Sequence, residues 1–259
     1  MPETAALPSI ELDHASAVSG HVALVTGANR GIGRAIAESL GRLGMAVVVG
    51  ARDIDRAQAV VDELTATGCA TAALGLEIAC DSSVAAAAET IATRHGRLDV
   101  LINNAGIKLE HHPSAPSRAN LADVTATFDT NVTGTIRVIQ AMLPMLLESP
   151  RPRIVNLSSG LGSLTWNTTL GSRYQERPLL GYSTSKAAIN MLTVLFANEY
   201  RASRLRINAV DPGPVNTPMT QGKATREPDD GARPVVRCVL MRNDGPTGCF
   251  FDERGVVPW

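Results

Sequence analysis

The feature that most constrains the fold is a regular alternation of short apolar runs with longer segments of helical periodicity. The apolar runs are rich in β-branched residues and predict buried strands. They lie at 21–27, 45–50, 70–76 (the weakest), 98–104, 153–159 and 205–210. Strands that are apolar throughout and alternate with helices predict a parallel sheet that is covered on both faces.

The sequence therefore predicts a doubly wound α/β fold of about seven strands with helices on both faces. Residues 227–243 and 247–255 add one more helix and an edge strand. No proline-, serine- or glycine-rich linker divides the chain, so we expect a single domain over residues 21–259 after a flexible arm at 1–20. Ligands of such sheets bind at the carboxyl ends of the strands.

Composition favours a small-molecule partner. The 259 residues are 44% hydrophobic and 19% charged with a formal net charge of −1, which offers no electrostatic surface for nucleic acid or an anionic membrane. No run of about 18 apolar residues predicts a membrane span, and residues 1–20 lack the apolar stretch of a signal peptide. The four cysteines lack zinc-ligand spacing and indicate reduced thiols in a cytoplasmic protein.

The first predicted strand runs into TGANRGIG, where Gly27, Gly31 and Gly33 have the spacing G-x-x-x-G-x-G. Glycines at a strand–helix junction permit a tight turn, so that the helix N-terminus can face a pyrophosphate. A glycine-rich helix start without a ligand is the alternative. The position between a strand and a helix favours a dinucleotide site.

The end of the second strand bears on the choice between NADH and NADPH. Asp53 lies 20 positions after Gly33, where an acid can bond the ribose of NAD, but it also begins the next helix, where a capping carboxylate is expected. Arg52 follows the strand tip directly, and Arg30 lies in the glycine loop. Because arginines pair well with a phosphate dianion, the sequence favours NADPH.

A further pattern, GYSTSK, places Tyr182 four positions before Lys186, so that the two share one face of a helix. A phenol has a reference pKa of about 10, and a nearby ammonium favours its ionised form. The pair can therefore exchange a proton near neutral pH. Taken alone, such a pair is more often an ordinary solvated one.

The ordered set of motifs resembles the short-chain dehydrogenase/reductase family, and in particular its carbonyl-reductase-like branch. The motifs are TGANRGIG, NNAG (103–106), TNVTG around Asn131, IVNLSS (154–159), YSTSK (182–186) and DPGPVNT (211–217). Each is weak alone, whereas the set in family order is specific. The resemblance implies a Rossmann-like fold and an NADPH-dependent oxidoreductase that interconverts a ketone or aldehyde and the corresponding alcohol by hydride transfer.

The resemblance also implies catalytic roles. Tyr182 would be the acid/base that exchanges a proton with the carbonyl oxygen, and Ser159 would orient the same oxygen, with Ser158 as its rival. Lys186 would lower the pKa of Tyr182 and bind the nicotinamide ribose. Asn131 would hold a water that relays protons.

The cofactor contacts implied by the resemblance come from the ends of several strands. Around the glycine loop and the second strand they are Gly27, Asn29, Arg30, Gly31, Ile32, Gly33 and Arg52. Further along they are Glu77, Ile78, Asn104, Ala105, Gly106, Tyr182, Lys186, Pro212, Gly213, Val215 and Thr217. The family commonly has Leu-Asp-Val where this chain has Leu76-Glu77-Ile78, so the adenine contact would come from a longer acid.

The chain departs from the family between Ser159 and Tyr182, which are 23 positions apart. The additional residues within 160–181 lie at the mouth of the expected site, and a surface loop without function is the alternative. A similar insertion in the carbonyl-reductase-like branch can cover an oligomerisation surface, which leaves monomer and dimer open. The loop at 218–229 is short. The expected substrate residues are Ser159, Leu161, Trp166, Tyr174 and Met219.

Adjacent histidines at 111 and 112 could reach the rim of the pocket with Leu109, but no third ligand accompanies them, so no metal is predicted. Two other functions remain open from the sequence. One is a non-redox cyclase or dehydratase that uses Tyr182 as a general acid. The other is a dinucleotide-sensing binding protein, against which the intact Ser159, Tyr182 and Lys186 argue.

Overall fold

Seven parallel strands form one sheet in the computed structural model, which describes residues 11–259. The strands are β1 (Val22–Thr26), β2 (Ala46–Ala51), β3 (Thr71–Gly75), β4 (Val100–Asn103), β5 (Arg153–Leu157), β6 (Arg206–Val210) and β7 (Phe250–Phe251). Their order is β3-β2-β1-β4-β5-β6-β7, and every neighbouring pair is parallel. The predicted doubly wound fold is confirmed, including the weak third strand and the edge strand.

Helices cover both faces of this sheet. They are α1 (Gly31–Arg42), α2 (Ile54–Ala66), α3 (Asp81–His95), α4 (Leu121–Phe128), α5 (Thr135–Leu147), α6 (Leu164–Thr168), α7 (Leu180–Glu199) and α8 (Pro228–Leu240). Buried side chains of α1, α2 and α8 form the core on one face, and those of α3, α5 and α7 form the core on the other. Helix α4 packs against α7.

The two cores explain why the strands are apolar throughout. In β1, Ala23 and Val25 join the core of the first face, whereas Val22 and Leu24 join the core of the second. Successive side chains of a strand point to opposite faces, so a strand covered on both sides has no solvent-facing positions.

Strand β1 lies between β2 and β4 in the sheet. The chain winds outward in opposite directions from this point, which leaves a crevice at the carboxyl ends of β1 and β4. The glycine loop follows β1, and residues 104–106 follow β4. The topology therefore brings two of the motifs together.

The expected flexible arm at 1–20 is wrong for residues 11–20, which pack against the domain, while residues 1–10 lie outside the described part of the chain. Leu12 forms an antiparallel bridge with Met241, and the Asp13 carboxylate pairs with Arg151. The Val18 side chain is fully buried in the core of the first face. One apolar anchor and two ion pairs, Asp13 with Arg151 and Glu11 with Arg242, hold this segment in place.

The insertion within 160–181 is attached to the last residues of the chain. The Ser163 hydroxyl donates to the Pro258 carbonyl oxygen at 2.6 Å, and the Thr165 backbone N–H donates to the Trp259 carbonyl oxygen at 2.8 Å. Trp166 stacks on Tyr174, with 4.9 Å between the ring centroids. The insertion is thus an ordered wall beside the end of β5.

Candidate active site

Two glycines of TGANRGIG are required by the geometry of the turn between β1 and α1. Gly27 has a φ of 64°, in the left-handed region that favours glycine. A Cβ atom at Gly33 would lie 2.5 Å from both the Asn104 Nδ2 and the Gly27 carbonyl oxygen. Only glycine therefore lets α1 start this close to the segment that follows β4.

That segment is held against the turn by Thr26 and Asn104. The Thr26 hydroxyl oxygen accepts hydrogen bonds from the backbone N–H groups of Asn104 and Ala105, each at 3.0 Å. The Asn104 side-chain amide donates to the carbonyl oxygens of Thr26 at 2.8 Å and Gly27 at 3.0 Å. The ends of β1 and β4 consequently form one continuous wall.

A cleft of about 560 Å³ opens along this wall. Of the expected cofactor residues, it is lined by Gly27, Asn29, Arg30, Gly31, Ile32, Gly33, Arg52, Glu77, Ile78, Asn104, Ala105, Gly106 and Thr217. The remaining five, Tyr182, Lys186, Pro212, Gly213 and Val215, do not line it. Lining residues that the sequence did not single out are Ala51, Arg56, Ile107, Thr130 and Pro218.

Charged side chains mark the end of the cleft beside β2. The Arg52 Nε lies 3.4 Å from the Glu77 carboxylate, and both side chains keep exposed surface. Asp53 caps α2, since its carboxylate accepts from the Arg56 backbone N–H at 3.1 Å. The interpretation of Asp53 as a capping residue is confirmed. Arg30 is exposed and also lines the cleft.

The segment after β6 packs on α8 and reaches back to the glycine loop. The Val215 side chain is buried, and a Cβ at Gly231 of α8 would contact both Val215 and Pro212. The Thr217 methyl group would lie 3.2 Å from a Cβ at Gly31. The buried Val215 side chain therefore anchors the segment to α8, whereas Thr217 faces the cleft.

Tyr182 and Lys186 lie on the first turns of α7, as the sequence predicts. The Lys186 Nζ is 5.6 Å from the centroid of the Tyr182 ring and donates to the Leu157 carbonyl oxygen at 2.7 Å. The same Nζ would be 3.8 Å from a Cβ at Gly106, which lines the cleft. This contact brings the ammonium to the edge of the dinucleotide cleft.

The two serines at the end of β5 have different surroundings. Ser158 is buried, and its hydroxyl donates to Asn190 Oδ1 at 2.6 Å. Ser159 is partly exposed, and its hydroxyl oxygen accepts from the Leu161 backbone N–H at 3.2 Å. Ser158 fastens β5 to α7, whereas the Ser159 hydroxyl lies near the Tyr182 phenol and acts to lower its pKa.

Asn131 lies in a π-helical segment, Asp129–Gly134, between α4 and α5. Its side-chain oxygen accepts from the Ile107 backbone N–H at 2.7 Å, and its side-chain nitrogen donates to the Ile107 carbonyl at 2.9 Å and to the Ser185 hydroxyl at 3.0 Å. π-Helical turns are frequent at functional sites. Here the Asn131 side chain connects the loop after β4, at Ile107, to α7, at Ser185.

Burial dominates the electrostatics of the pair on α7. It raises the pKa of Tyr182 above the usual phenol value, an effect that Asp211 reinforces and the Ser159 hydroxyl opposes. Burial also lowers the pKa of Lys186 to about 8, while Asp211 acts to raise it. The expected lowering of the Tyr182 pKa is therefore wrong for the protein by itself, because burial and the Asp211 carboxylate both raise it.

Sequence reasoning missed two carboxylates beside this pair. Asp211 is buried directly after β6, bonds the Gly213 backbone N–H at 2.9 Å and has its pKa raised by burial. Glu110 bonds the backbone N–H groups of Gly181 and Tyr182. The signal for Asp211 was an acid at the carboxyl end of a buried strand. No local pattern pointed to Glu110.

The expected substrate residues lie in different places. Met219 lines the cleft, and Leu161 follows Ser159 within one turn. Tyr174 lies over Gly160, where a Cβ would be 2.6 Å from its ring. Trp166 packs on Tyr174 and on a buried cluster of Ala209, Phe250 and Val257, so it supports the wall. Neither Trp166 nor Tyr174 lines the cleft.

The histidines at 111 and 112 are exposed. Within residues 11–259 no three His, Cys, Asp or Glu side chains come together as a metal-binding group. No helix in the same range is long and apolar enough to span a bilayer. All four cysteines are free thiols.

The fold and the arrangement of the site define an oxidoreductase of the dinucleotide-binding α/β class. Residues 21–228 match the family model described as short chain dehydrogenase, and the chain belongs to that family.

Several relatives are similar over nearly the whole chain. Carbonyl reductase (NADPH) 1 of Homo sapiens is 33% identical in an alignment of 277 positions, gaps included. The alignment covers 92% of this chain and 98% of the relative. Short-chain dehydrogenase anuI of Penicillium roqueforti is 34% identical, with 86% and 89% covered. A solved metagenomic short-chain oxidoreductase in complex with NADP is 31% identical, with a TM-score of 0.73 and 90% and 97% covered.

Proposed function

We propose that this protein is an NADPH-dependent carbonyl reductase, which interconverts a ketone or aldehyde and the corresponding alcohol. The observation that carries the proposal is the convergence of Ser159, Tyr182 and Lys186 beside the dinucleotide cleft. The relative named carbonyl reductase (NADPH) 1 and the solved relative in complex with NADP support both the reaction and the cofactor.

The cleft fits a dinucleotide. Its glycine turn has space only because Gly33 lacks a side chain, and the N-terminus of α1 opens onto it. Backbone N–H groups at a helix start favour a pyrophosphate. Arg30 and Arg52 at the end beside β2 match a 2′-phosphate, although Arg52 must share its charge with Glu77.

Bound NADPH supplies the hydride that reduces the carbonyl carbon. Tyr182 donates its phenolic proton to the carbonyl oxygen, and the Ser159 hydroxyl donates a hydrogen bond to the same oxygen. The raised pKa of Tyr182 keeps that proton in place at neutral pH, which suits reduction. The Lys186 ammonium stabilises the phenolate that remains until a proton from solvent restores it.

The π-helical segment Asp129–Gly134 supports these catalytic residues. Asn131 holds Ile107 and Ser185 in place, so its side chain has little freedom left to bind water. That Asn131 holds a relay water stays a prediction.

The test is consumption of NADPH with a panel of neutral aldehydes and ketones. We expect stoichiometric alcohol formation together with loss of the reduced nicotinamide absorbance. Conversion of a substrate with no change in that absorbance would instead identify a non-redox enzyme.

The oligomeric state, monomer or dimer, and the cytoplasmic location stay predictions, as does the single domain over residues 21–259. What supports a monomer is that the insertion is ordered and tied to residues 258 and 259. Light scattering coupled to gel filtration measures the oligomeric state directly.

A further inference from the structure

The loop between β6 and α8, residues 211–227, forms part of the dinucleotide cleft. Thr217 and Met219 of this loop line the cleft. Between residues 212 and 227 only the Val215 side chain is buried, so apolar packing alone holds the loop weakly. The position of the loop over the cleft therefore depends on polar contacts.

Arg226, near the end of the loop, contacts the beginning of the same loop. Its backbone forms a parallel bridge with Val215, and its carbonyl oxygen accepts from the Asn216 backbone N–H at 2.7 Å. Its Nη1 donates to the Pro212 carbonyl oxygen at 3.2 Å. A Cβ at Gly213 would lie 2.5 Å from the same Nη1, so the guanidinium fills the space beside this glycine. One residue thus joins the two ends of the loop.

The other side of the Arg226 guanidinium is attached to the rest of the domain. Its Nη2 donates to the carboxylate of Glu253, which follows β7, at 2.5 Å and to the Asp230 carbonyl oxygen of α8 at 3.3 Å. The Arg226 side chain is 31% exposed, so solvent ions screen this pair less than a fully solvated one. Arg226 therefore connects the loop to α8 and to the edge of the sheet.

The reacting groups are held by contacts that lie outside this loop. The Lys186 ammonium bonds the Leu157 carbonyl oxygen, and the Tyr182 backbone N–H bonds the Glu110 carboxylate. A change in the position of the loop therefore leaves the phenol and the ammonium in place.

We propose that Arg226 is a positioning residue for the dinucleotide: its contacts with Pro212 and Glu253 keep the loop in the conformation in which Thr217 faces the cleft, and the affinity for NADPH depends on them. This inference rests on the proposed function and adds a residue outside the cleft on which cofactor binding depends. When the binding conformation is populated only in part, the apparent dissociation constant rises in inverse proportion to that fraction. A loop exchanged at this place should therefore keep a cation at position 226.

The experiment replaces the guanidinium and measures cofactor binding apart from turnover. Arg226→Met keeps an aliphatic stem, and calorimetric titration with NADPH should give a dissociation constant raised by roughly tenfold. With an aldehyde of the neutral panel, KM for NADPH should rise in parallel, while kcat at saturating NADPH stays within about twofold of the wild type. Arg226→Lys keeps a cation near Glu253 and should recover part of the affinity.

Arg233→Met is the matched control. Arg233 pairs with the same Glu253 carboxylate at 3.6 Å and with Asp230 at 3.2 Å, and neither partner lies in the loop. This variant should keep the wild-type dissociation constant. Hydrogen exchange of the Asn216 amide without dinucleotide reports the loop directly, and it should be faster in Arg226→Met but unchanged in Arg233→Met.

Glu253→Gln gives a second test where Arg226→Met folds poorly, because it removes the negative charge beside Arg226 and keeps the side-chain shape. It should weaken NADPH binding in the same direction and by a smaller factor.

A wild-type dissociation constant for NADPH in folded Arg226→Met would overturn the proposal, whatever the exchange rate of Asn216. So would an equal loss of affinity in Arg233→Met, which would assign the effect to general loss of positive charge. In both cases the wild-type protein would still oxidise NADPH with the neutral panel, and the proposed function would stand. Absence of NADPH oxidation by the wild type with the whole panel would refute the proposed function instead, while the calorimetric comparison would still test Arg226.

Discussion

The Glu110 carboxylate accepts hydrogen bonds from the backbone N–H groups of Gly181 at 2.7 Å and Tyr182 at 2.8 Å. Leu179, the residue before α7, provides no side-chain cap. A loop residue 72 positions earlier in the chain therefore satisfies the start of the helix that carries the phenol. The contact fixes Tyr182 relative to the end of β4.

Removal of this contact should affect both stability and catalysis. We expect Glu110→Ala to lower the free energy of unfolding by about 1–2 kcal/mol, because two helix N–H groups lose their acceptor. It should also lower kcat. Glu110→Gln keeps one acceptor oxygen, so its stability and its kcat should lie between those of the wild type and those of Glu110→Ala. Denaturant unfolding and steady-state kinetics measure these effects. Wild-type kcat in Glu110→Ala would show that the helix start does not position the phenol.

Replacement of Tyr182 by phenylalanine removes the proton donor and little else. We expect Tyr182→Phe to lower kcat by about 10²–10⁴-fold, the usual contribution of a positioned acid. The affinity for NADPH, measured by fluorescence titration, should stay close to the wild-type value because the ring does not line the cleft. Near-normal turnover would refute the assignment of Tyr182.

The neighbouring serines offer a matched pair of variants. Ser159→Ala should lower kcat with little change in stability, since the Ser159 side chain is partly exposed and acts on the Tyr182 phenol. Ser158→Ala should instead lower the free energy of unfolding by about 1–3 kcal/mol, because it leaves the buried Asn190 oxygen without its donor. Thermal unfolding measures the loss of stability and steady-state kinetics measures the loss of kcat, so together they distinguish the roles of Ser158 and Ser159. The reverse pattern would assign the orienting hydroxyl to Ser158.

The preference for NADPH is expected to depend on Arg52. Arg52→Asp removes a cation and places a negative charge near Glu77, so it should weaken NADPH binding by roughly tenfold or more and affect NADH far less. Dissociation constants for both dinucleotides are the measurement. Arg42→Asp, an exposed arginine at the far end of α1, is the control. An unchanged ratio of the two constants would contradict a phosphate-binding role.

The lowered pKa of Lys186 predicts a pH dependence of stability. Its folded value of about 8 lies below the reference value of 10.5, so between these values the unfolded chain binds more protons than the native protein. Stability then rises with pH across this window. Burial of the Lys186 ammonium costs about 3 kcal/mol of stability at low pH, and this cost is lost as pH rises from about 8 to 10.5. Above pH 10 the raised pKa of Tyr182 acts in the opposite direction.

Lys186→Met isolates this contribution. Unfolding free energies of the two proteins, measured from pH 7 to pH 10 in buffer free of dinucleotide, should differ most at low pH, with the wild type gaining relative to the variant as pH rises. Parallel pH profiles would show that Lys186 keeps an ordinary pKa in the folded protein.

The sheet was predictable because its strands are covered on both faces, which makes their apolar runs continuous and easy to locate. Even the two-residue β7 was found, since Phe250 and Phe251 are apolar between polar turns. The packing of the segment at 11–20 was not predictable, because its apolar anchor is one valine and its ion pairs join Glu11 and Asp13 to arginines far away in the sequence.

The site was predictable where it is built from motifs that follow strand ends. Arg52 was placed beside the cleft correctly, but its ion pair with Glu77 depends on side-chain direction across two strands. The pKa of Tyr182 was misjudged because distance to Lys186 along the chain says nothing about burial. Glu110 escaped notice because its partners are backbone groups distant in sequence.

The bond from Lys186 to Leu157 and the bond from Ser158 to Asn190 fasten α7 to the end of β5, and neither involves the insertion or the loop after β6. We therefore expect residues 164–177 and 219–226 to shape the substrate pocket without setting the position of α7. Grafting other loops at 164–177 or 219–226 is a practical route to biocatalysts that make different chiral alcohols on an unchanged scaffold.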